Sequence, residues 1–182
     1  MRGLHRAGAP VAAPVPEEYR SVHAGDIVST NHITREMHDA MEVFTEDWAR
    51  ACCDALNRSE AYRASAATWE GEIVLAMSPD PARGVDAERA IYIDAHHGEC
   101  RRAHVATPAE LANAAFVFSA DPTTWRRLLA REVEPVAAVM QGKLRLARGN
   151  VFALARYAQA AKEMIAAAGQ AGGRWPGEGA AA

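Results

Sequence analysis

The residues able to do chemistry are few and thinly spread. The run "AHHGEC" holds His96, His97 and Cys100, with His104 four residues beyond the cysteine. Imidazole and thiolate are zinc ligands, and a turn in this run could bring His97 and Cys100 together. Zinc sites usually offer a tidy pair of ligand pairs, however, and the chain contains no CxxC. Neighbouring strand residues also point to opposite faces, which would part His96 from His97. His32 and His38 are six apart on a helical stretch and so do not share a face. Cys52 and Cys53 are adjacent, and a thiol nucleophile needs a base beside it. No Ser/His/Asp arrangement suggests itself, and Cys52 falls on an apolar stripe as a small hydrophobe. Glu70 and Glu72 share a strand face and could serve as an acid–base pair, but a solvated sheet face accounts for both. The expectation is a chain with no catalytic residues, no metal and no cofactor.

The bulk composition narrows the classes further. The chain has 182 residues, 49% of them hydrophobic, which suits one domain with its own core. A net charge of −3 and a pI near 6.2 exclude the basic stripe of a nucleic-acid binder. Lys143, Arg145, Arg148 and Arg156 are too thin a cluster to change that. No apolar run approaches the roughly 18 residues of a membrane span. "GAPVAAPVP" is broken by prolines and is no signal-peptide core. The three cysteines show no disulfide framework. A soluble cytoplasmic protein is expected.

The elements that would position these residues follow from periodicity. Residues 1–30 read as a flexible extension, Ala/Pro/Gly-rich over 1–16. From Asn31 a helical register runs through Ile33, Met37, Met41, Phe44, Trp48, Cys52 and Leu56. It is either one long helix over about 33–57 or two pieces that part near Phe44, with Thr45 capping the second. Ser59 caps a short helix. The period then changes to two in "TWEGEIVLAM", a strand, followed by strands in "RAIYIDAHHG" and "ECRRAHVA". Thr107 and Glu110 form a capping box for one turn of helix. "AFVFSA" is a fourth strand. "DPTTWRRLLARE" and "VEPVAAVM" are helices, and "MQGKLRL" is a fifth strand. Asn150 caps a long final helix that Gly169 ends, and residues 170–182 read as a disordered tail. This order, without βαβ repeats or a Gly-rich phosphate loop, gives an α+β fold. Its five-stranded sheet is largely antiparallel and covered on one side by helices.

Three pieces of this pattern resemble the sterol carrier protein type 2 family. They are "VFTEDWARACCDALNRSEAY" leading into the Trp69 strand, "SADPTTWRRLLAREVEPVAAVMQGKLRLARGN", and the closing amphipathic helix. The resemblance covers roughly residues 43–168 and is most specific at "QGKLRL". It implies one domain over 31–169 with an apolar tunnel between sheet and helices, and the non-catalytic binding or transfer of a sterol, fatty acid or acyl-CoA. The family's peroxisomal members end in a targeting tripeptide and this chain ends "EGAAA", so peroxisomal import is not expected. On this reading the tunnel wall draws on Trp125, Leu128 and Leu129 of one helix, Val136 and Met140 of the next, and Phe152 and Ala155 of the last. Each ligand CH₂ buried there is worth about 0.8 kcal/mol. Gln141 is either a head-group contact at the rim or a strand-start residue facing water. Lys143 and Arg145 are either a solvated face or an attractor of anionic head groups. A different class of function also fits: an accessory module that forms a homodimer, or packs on a partner enzyme, through the apolar stripe of the 31–57 helix.

Overall fold

The computed structural model describes residues 41–178. The expected flexible extension (1–30) and the first part of the expected helix, up to residue 40, lie outside the described residues.

The sheet is built on β1 (Glu70–Met77). Its burial is unbroken from Ile73 to Met77, as in a strand covered on both faces. β2 (Arg89–His96) pairs antiparallel with β1, and β3 (Glu99–Val105) antiparallel with β2. The turn between them is His97–Gly98, with φ of 49° and 80°. Two left-handed residues in succession are what a two-residue hairpin needs to match strand twist. The chain then crosses back through α3 (Pro108–Asn113), so that β4 (Phe116–Ala120) lies parallel to β1 on its other side. β5 (Arg145–Arg148) closes the order β3-β2-β1-β4-β5. The sheet is thus five-stranded and mostly antiparallel, with one parallel pair.

Most helices lie on one face. α1 (Glu46–Arg58) begins at Thr45, whose side chain accepts from the Trp48 amide. Phe44 is left-handed, at φ 61°, so a helix cannot run through it, and the reading with a break near residue 44 holds. α2 (Glu60–Ser65) is capped by Ser59, α4 (Pro122–Leu129) by Asp121. α5 (Pro135–Met140) ends in a tight turn in which Gly142, at φ 70°, lets the Lys143 and Leu144 amides return to the Ala138 carbonyl. That turn consumes "QGKL", so β5 is shorter than the alternation suggested. The long final helix is two: α6 (Val151–Arg156) and α7 (Ala158–Gln170), parted at Tyr157, whose φ of −105° and ψ of 25° leave the helical region. Gly169 does not end α7. Its missing side chain admits the Leu129 carbonyl, which a Cβ would overlap.

Two further expectations are corrected. The tail expected to be disordered over 170–182 folds back on the domain as far as Glu178: Arg174 bridges to Glu42, Gly172 accepts from the Trp48 indole at 2.9 Å, and Arg126 lies over the Trp175 ring. A tryptophan N–H buried at the helix start requires an acceptor, and the tail supplies it. Cys53 and Cys100 form a disulfide between α1 and β3, their Cα atoms 5.3 Å apart, where no disulfide framework was expected. The partners are 47 residues apart on a helix and an edge strand, so only tertiary packing pairs them. Asn57 clamps the same spot, donating to and accepting from the Cys100 backbone. Cys52 faces the core, and burial pushes its thiol up well above the usual range.

The main core lies between the sheet and helices α1, α2 and α4 to α7, centred on Trp48, Leu56, Trp125 and Leu128. The opposite face carries a smaller apolar cluster around Val74, Tyr92 and Val117, packed against Leu111 of α3.

Candidate functional site

Two apolar cavities lie in the main core between the sheet and the last helices. The first, about 30 Å³, is walled by Leu75 and Phe118 of the sheet, Trp125 of α4, Pro135 and Val139 of α5, and Leu144 of the following turn. Leu154 of α6 and Ala161, Met164 and Ile165 of α7 close it. The second, about 40 Å³, is bounded by Tyr62, Ala66, Trp69 and Ile73 on one side and Tyr157 and Ala160 on the other. Phe118, Leu154, Ala161 and Met164 line both cavities and form the partition between them.

The sequence dictates this seam locally. Ile73 and Leu75 alternate toward the helices along β1, as period-two packing requires. Leu154, Ala161, Met164 and Ile165 fall at spacings of 7, 10 and 11 residues, one helical stripe carried across the break at Tyr157. Alanines at 66, 160 and 161 leave the space. Each cavity is about the size of a single water molecule, whereas ligand pockets run to roughly 300–1,000 Å³. The partition side chains must therefore move before a large ligand fits. Met164 is unbranched and flexible. Leu154 is the only buried residue of the six-residue helix α6, so one apolar anchor holds that helix down.

The polar groups of the seam are almost all engaged. The Trp125 indole donates to the Ala76 carbonyl at 2.8 Å, and the Trp69 indole to Gly71 at 3.0 Å. The Tyr157 hydroxyl donates to the Thr68 carbonyl at 2.9 Å. The Tyr62 hydroxyl is buried and has no hydrogen-bond partner among the described residues. Burial pushes its ionisation up to about 12.

Of the residues expected to line a tunnel, Trp125 lines the first cavity. Leu128 is wholly buried in the core but borders neither cavity, and half-buried Val136 borders neither. Leu129 lies in a surface groove beside Val43 and Trp175. Met140 and Phe152 stand 77% and 82% exposed, and Ala155 is exposed as well. Gln141 is exposed and borders neither cavity. α6 accounts for Phe152 and Ala155. It has two apolar stripes at spacing three, Val151/Leu154 and Phe152/Ala155, and fewer than two turns in which to tell them apart. Packing selects Leu154. Lys143, Arg145, Arg148 and Arg156 are exposed near these apolar side chains in sequence and border neither cavity.

One group of metal-ligating type does converge. Glu70 stands opposite His96 in the β1–β2 register, and the left-handed turn swings His97 back toward both, so the two imidazoles meet at 4.2 Å rather than facing apart. Their donor atoms and a Glu70 carboxylate oxygen lie within 4.8 Å of one another. His97 Nδ1 donates to the Ala67 carbonyl and Nε2 lies 2.9 Å from Glu70. None of the three lines either cavity.

Comparison with known proteins places this geometry. Residues 53–162 match the model of the SCP-2 sterol transfer family. A crystal structure of a sterol carrier protein 2 is 47% identical, with a TM-score of 0.65 over 70% of this chain and 97% of that one. The solution structure of a conserved hypothetical protein from Thermus thermophilus, described as possibly a sterol carrier protein, is 45% identical, with a TM-score of 0.67 over 75% of this chain and 94% of that one. No curated protein matches.

Proposed function

We propose that this chain, which belongs to the SCP-2 sterol transfer family, takes one lipid molecule into the apolar seam between its sheet and helices α6 and α7 and carries it unchanged. The observation behind this is the pair of apolar cavities with a shared partition of Phe118, Leu154, Ala161 and Met164. Merging them means displacing Leu154, and re-exposing a leucine costs about 1.5–3 kcal/mol. Ten ligand methylenes buried in exchange contribute about 8 kcal/mol at the same rate. The balance favours opening around a long-chain or polycyclic ligand and closing in its absence. A sterol, a fatty acid and the acyl chain of an acyl-CoA all satisfy that balance. The seam's lining is dominated by apolar side chains, which suits holding a lipid by burial alone.

The rival reading, a module that docks on a partner through its N-terminal helical stripe, loses its surface over 46–58. Trp48, Cys52 and Leu56 are fully buried within the chain's own core. No helix among the described residues is long and apolar enough to cross a membrane. The cytoplasm remains the proposed compartment, and a reducing cytoplasm would hold Cys53 and Cys100 as thiols.

The test is direct binding by the full chain after delipidation. Native mass spectrometry against a sterol, a fatty acid and an acyl-CoA should give a one-to-one complex with at least one of them. Vesicle-to-vesicle transfer of the ligand that binds should accelerate with protein concentration. Silence from all three ligands in mass spectrometry and in fluorescence displacement would end the carrier reading.

A further inference from the structure

We propose that Tyr62 gives the seam a preference for lipids bearing a neutral oxygen, a hydroxyl or a carbonyl, and that such a lipid lies with that oxygen innermost against the Tyr62 hydroxyl. The proposal rests on the seam being a lipid site.

Tyr62 is 1% exposed and lines the larger cavity, and its buried hydroxyl has no hydrogen-bond partner among the described residues. A buried donor left unpaired costs about 1–3 kcal/mol, so folding alone would be better served by phenylalanine at this position. The donor is also held in place. The Tyr62 amide donates to the Ser59 hydroxyl that caps α2, and its carbonyl accepts from the Ala66 amide and the Ser65 hydroxyl. The cavity's other donors, Trp69 Nε1 and the Tyr157 hydroxyl, already serve backbone carbonyls. A lone water is a poor partner here, since a buried water takes two to four polar contacts of its own. One oxygen on the ligand suffices.

The charge of that atom follows from what surrounds it. No lysine, arginine or histidine lines either cavity, so a carboxylate carried inward would be buried without a counter-charge. The same desolvation that raises Tyr62's own ionisation acts on any incoming acid. A hydroxyl or an ester carbonyl accepts the tyrosine proton without that penalty. The rest of such a ligand then runs past Leu154 and Met164 toward the first cavity.

The experiment compares the full chain with Tyr62→Phe, which removes the oxygen and keeps the ring. Four fluorescent probes are titrated at pH 8: dehydroergosterol, methyl cis-parinarate, cis-parinaric acid and diphenylhexatriene. The wild type should bind the methyl ester more tightly than the acid of the same chain. Tyr62→Phe should weaken dehydroergosterol and the ester about fivefold to tenfold, the worth of one hydrogen bond, and leave diphenylhexatriene within twofold. The empty variant should melt at or above the wild type, because an unpaired donor has gone. Uniform weakening of all four probes, unchanged binding of the two neutral-oxygen probes, or a lower melting temperature would each overturn the assignment to Tyr62 while leaving lipid binding in place. A wild type that binds none of the four removes the lipid site itself.

Discussion

Leu154→Ala separates a lipid seam from an ordinary core, because the two predict opposite signs for affinity. Leu154 is 4% exposed, is the sole buried residue of α6, and stands between cavities of about 30 and 40 Å³. Truncating a buried leucine costs about 2.7–5 kcal/mol, with the low end where surroundings relax. A six-residue helix with one anchor relaxes easily, so a loss of about 2–3 kcal/mol is expected. For a domain of this size that lowers the melting temperature by roughly 4–12 °C. The same truncation removes the side chain that a ligand must displace and joins the two cavities. Part of the displacement cost of about 1.5–3 kcal/mol no longer opposes binding, which predicts about tenfold tighter binding. Urea unfolding of the empty protein gives the first quantity, and displacement of a bound fluorescent lipid gives the second. A variant that loses affinity along with stability would refute the gating role and return Leu154 to plain core packing.

Leu128→Ala is the matching control: Leu128 is fully buried but borders neither cavity, so urea unfolding should show a loss of about 2.7–5 kcal/mol with lipid affinity unchanged within about twofold. Reducing the Cys53–Cys100 bond opens a loop spanning 47 residues, and chain entropy alone puts the loss near 4 kcal/mol; unfolding with and without dithiothreitol measures it, and equal midpoints would show that the bond adds nothing to stability. Mass-shift labelling of thiols before lysis reads the compartment, with labelling of Cys53 and Cys100 expected in a reducing cytoplasm. Lys143→Glu with Arg145→Glu and Arg148→Glu should slow lipid delivery to anionic vesicles several-fold at low salt while leaving binding in free solution unchanged, since exposed charges act through long-range attraction; equal rates to anionic and neutral vesicles would dismiss the basic face.

What was legible in the sequence is what period and caps encode. Ile73 and Leu75 announce β1 by alternation, and Thr45, Ser59, Thr107, Asp121 and Asn150 each cap the helix that their chemistry suggests. The single parallel pair, β1 with β4, was not legible, because period two carries no direction. Side chains went astray where an element is too short to show a face or where a turn resets the geometry. Phe152 and Ala155 are expected on the wall of one long helix, whereas the helix breaks at Tyr157 and its first piece turns Leu154 inward. His96 and His97 were parted by strand alternation, although His97 is a left-handed turn residue and the alternation stops before it. Tyr62 carries no signal in the sequence, since an unpartnered buried hydroxyl shows only in three dimensions.

A carrier must also let go, and the closed seam bears on that. If the cavity stayed open when empty, all of the roughly 8 kcal/mol from ten buried methylenes would hold the ligand, and release would be correspondingly slow. A seam that collapses onto Leu154 and Met164 returns part of that free energy as the lipid leaves, because each apolar side chain recovers its burial. The hydrophobic contribution is thereby divided between ligand and protein, and the division sets the affinity. On the proposed reading, the residue that fills the empty seam tunes delivery as much as any residue that touches the lipid. Small side chains at Ala160 and Ala161 keep that filling incomplete, so the collapsed state does not become too stable to reopen. Ala161→Leu, which enlarges the partition, should therefore stabilise the empty protein only if the cavities accept the added volume, and should weaken lipid binding in either case. Urea unfolding paired with fluorescence displacement checks both, and unaltered affinity in a folded Ala161→Leu variant would place the ligand somewhere other than this seam.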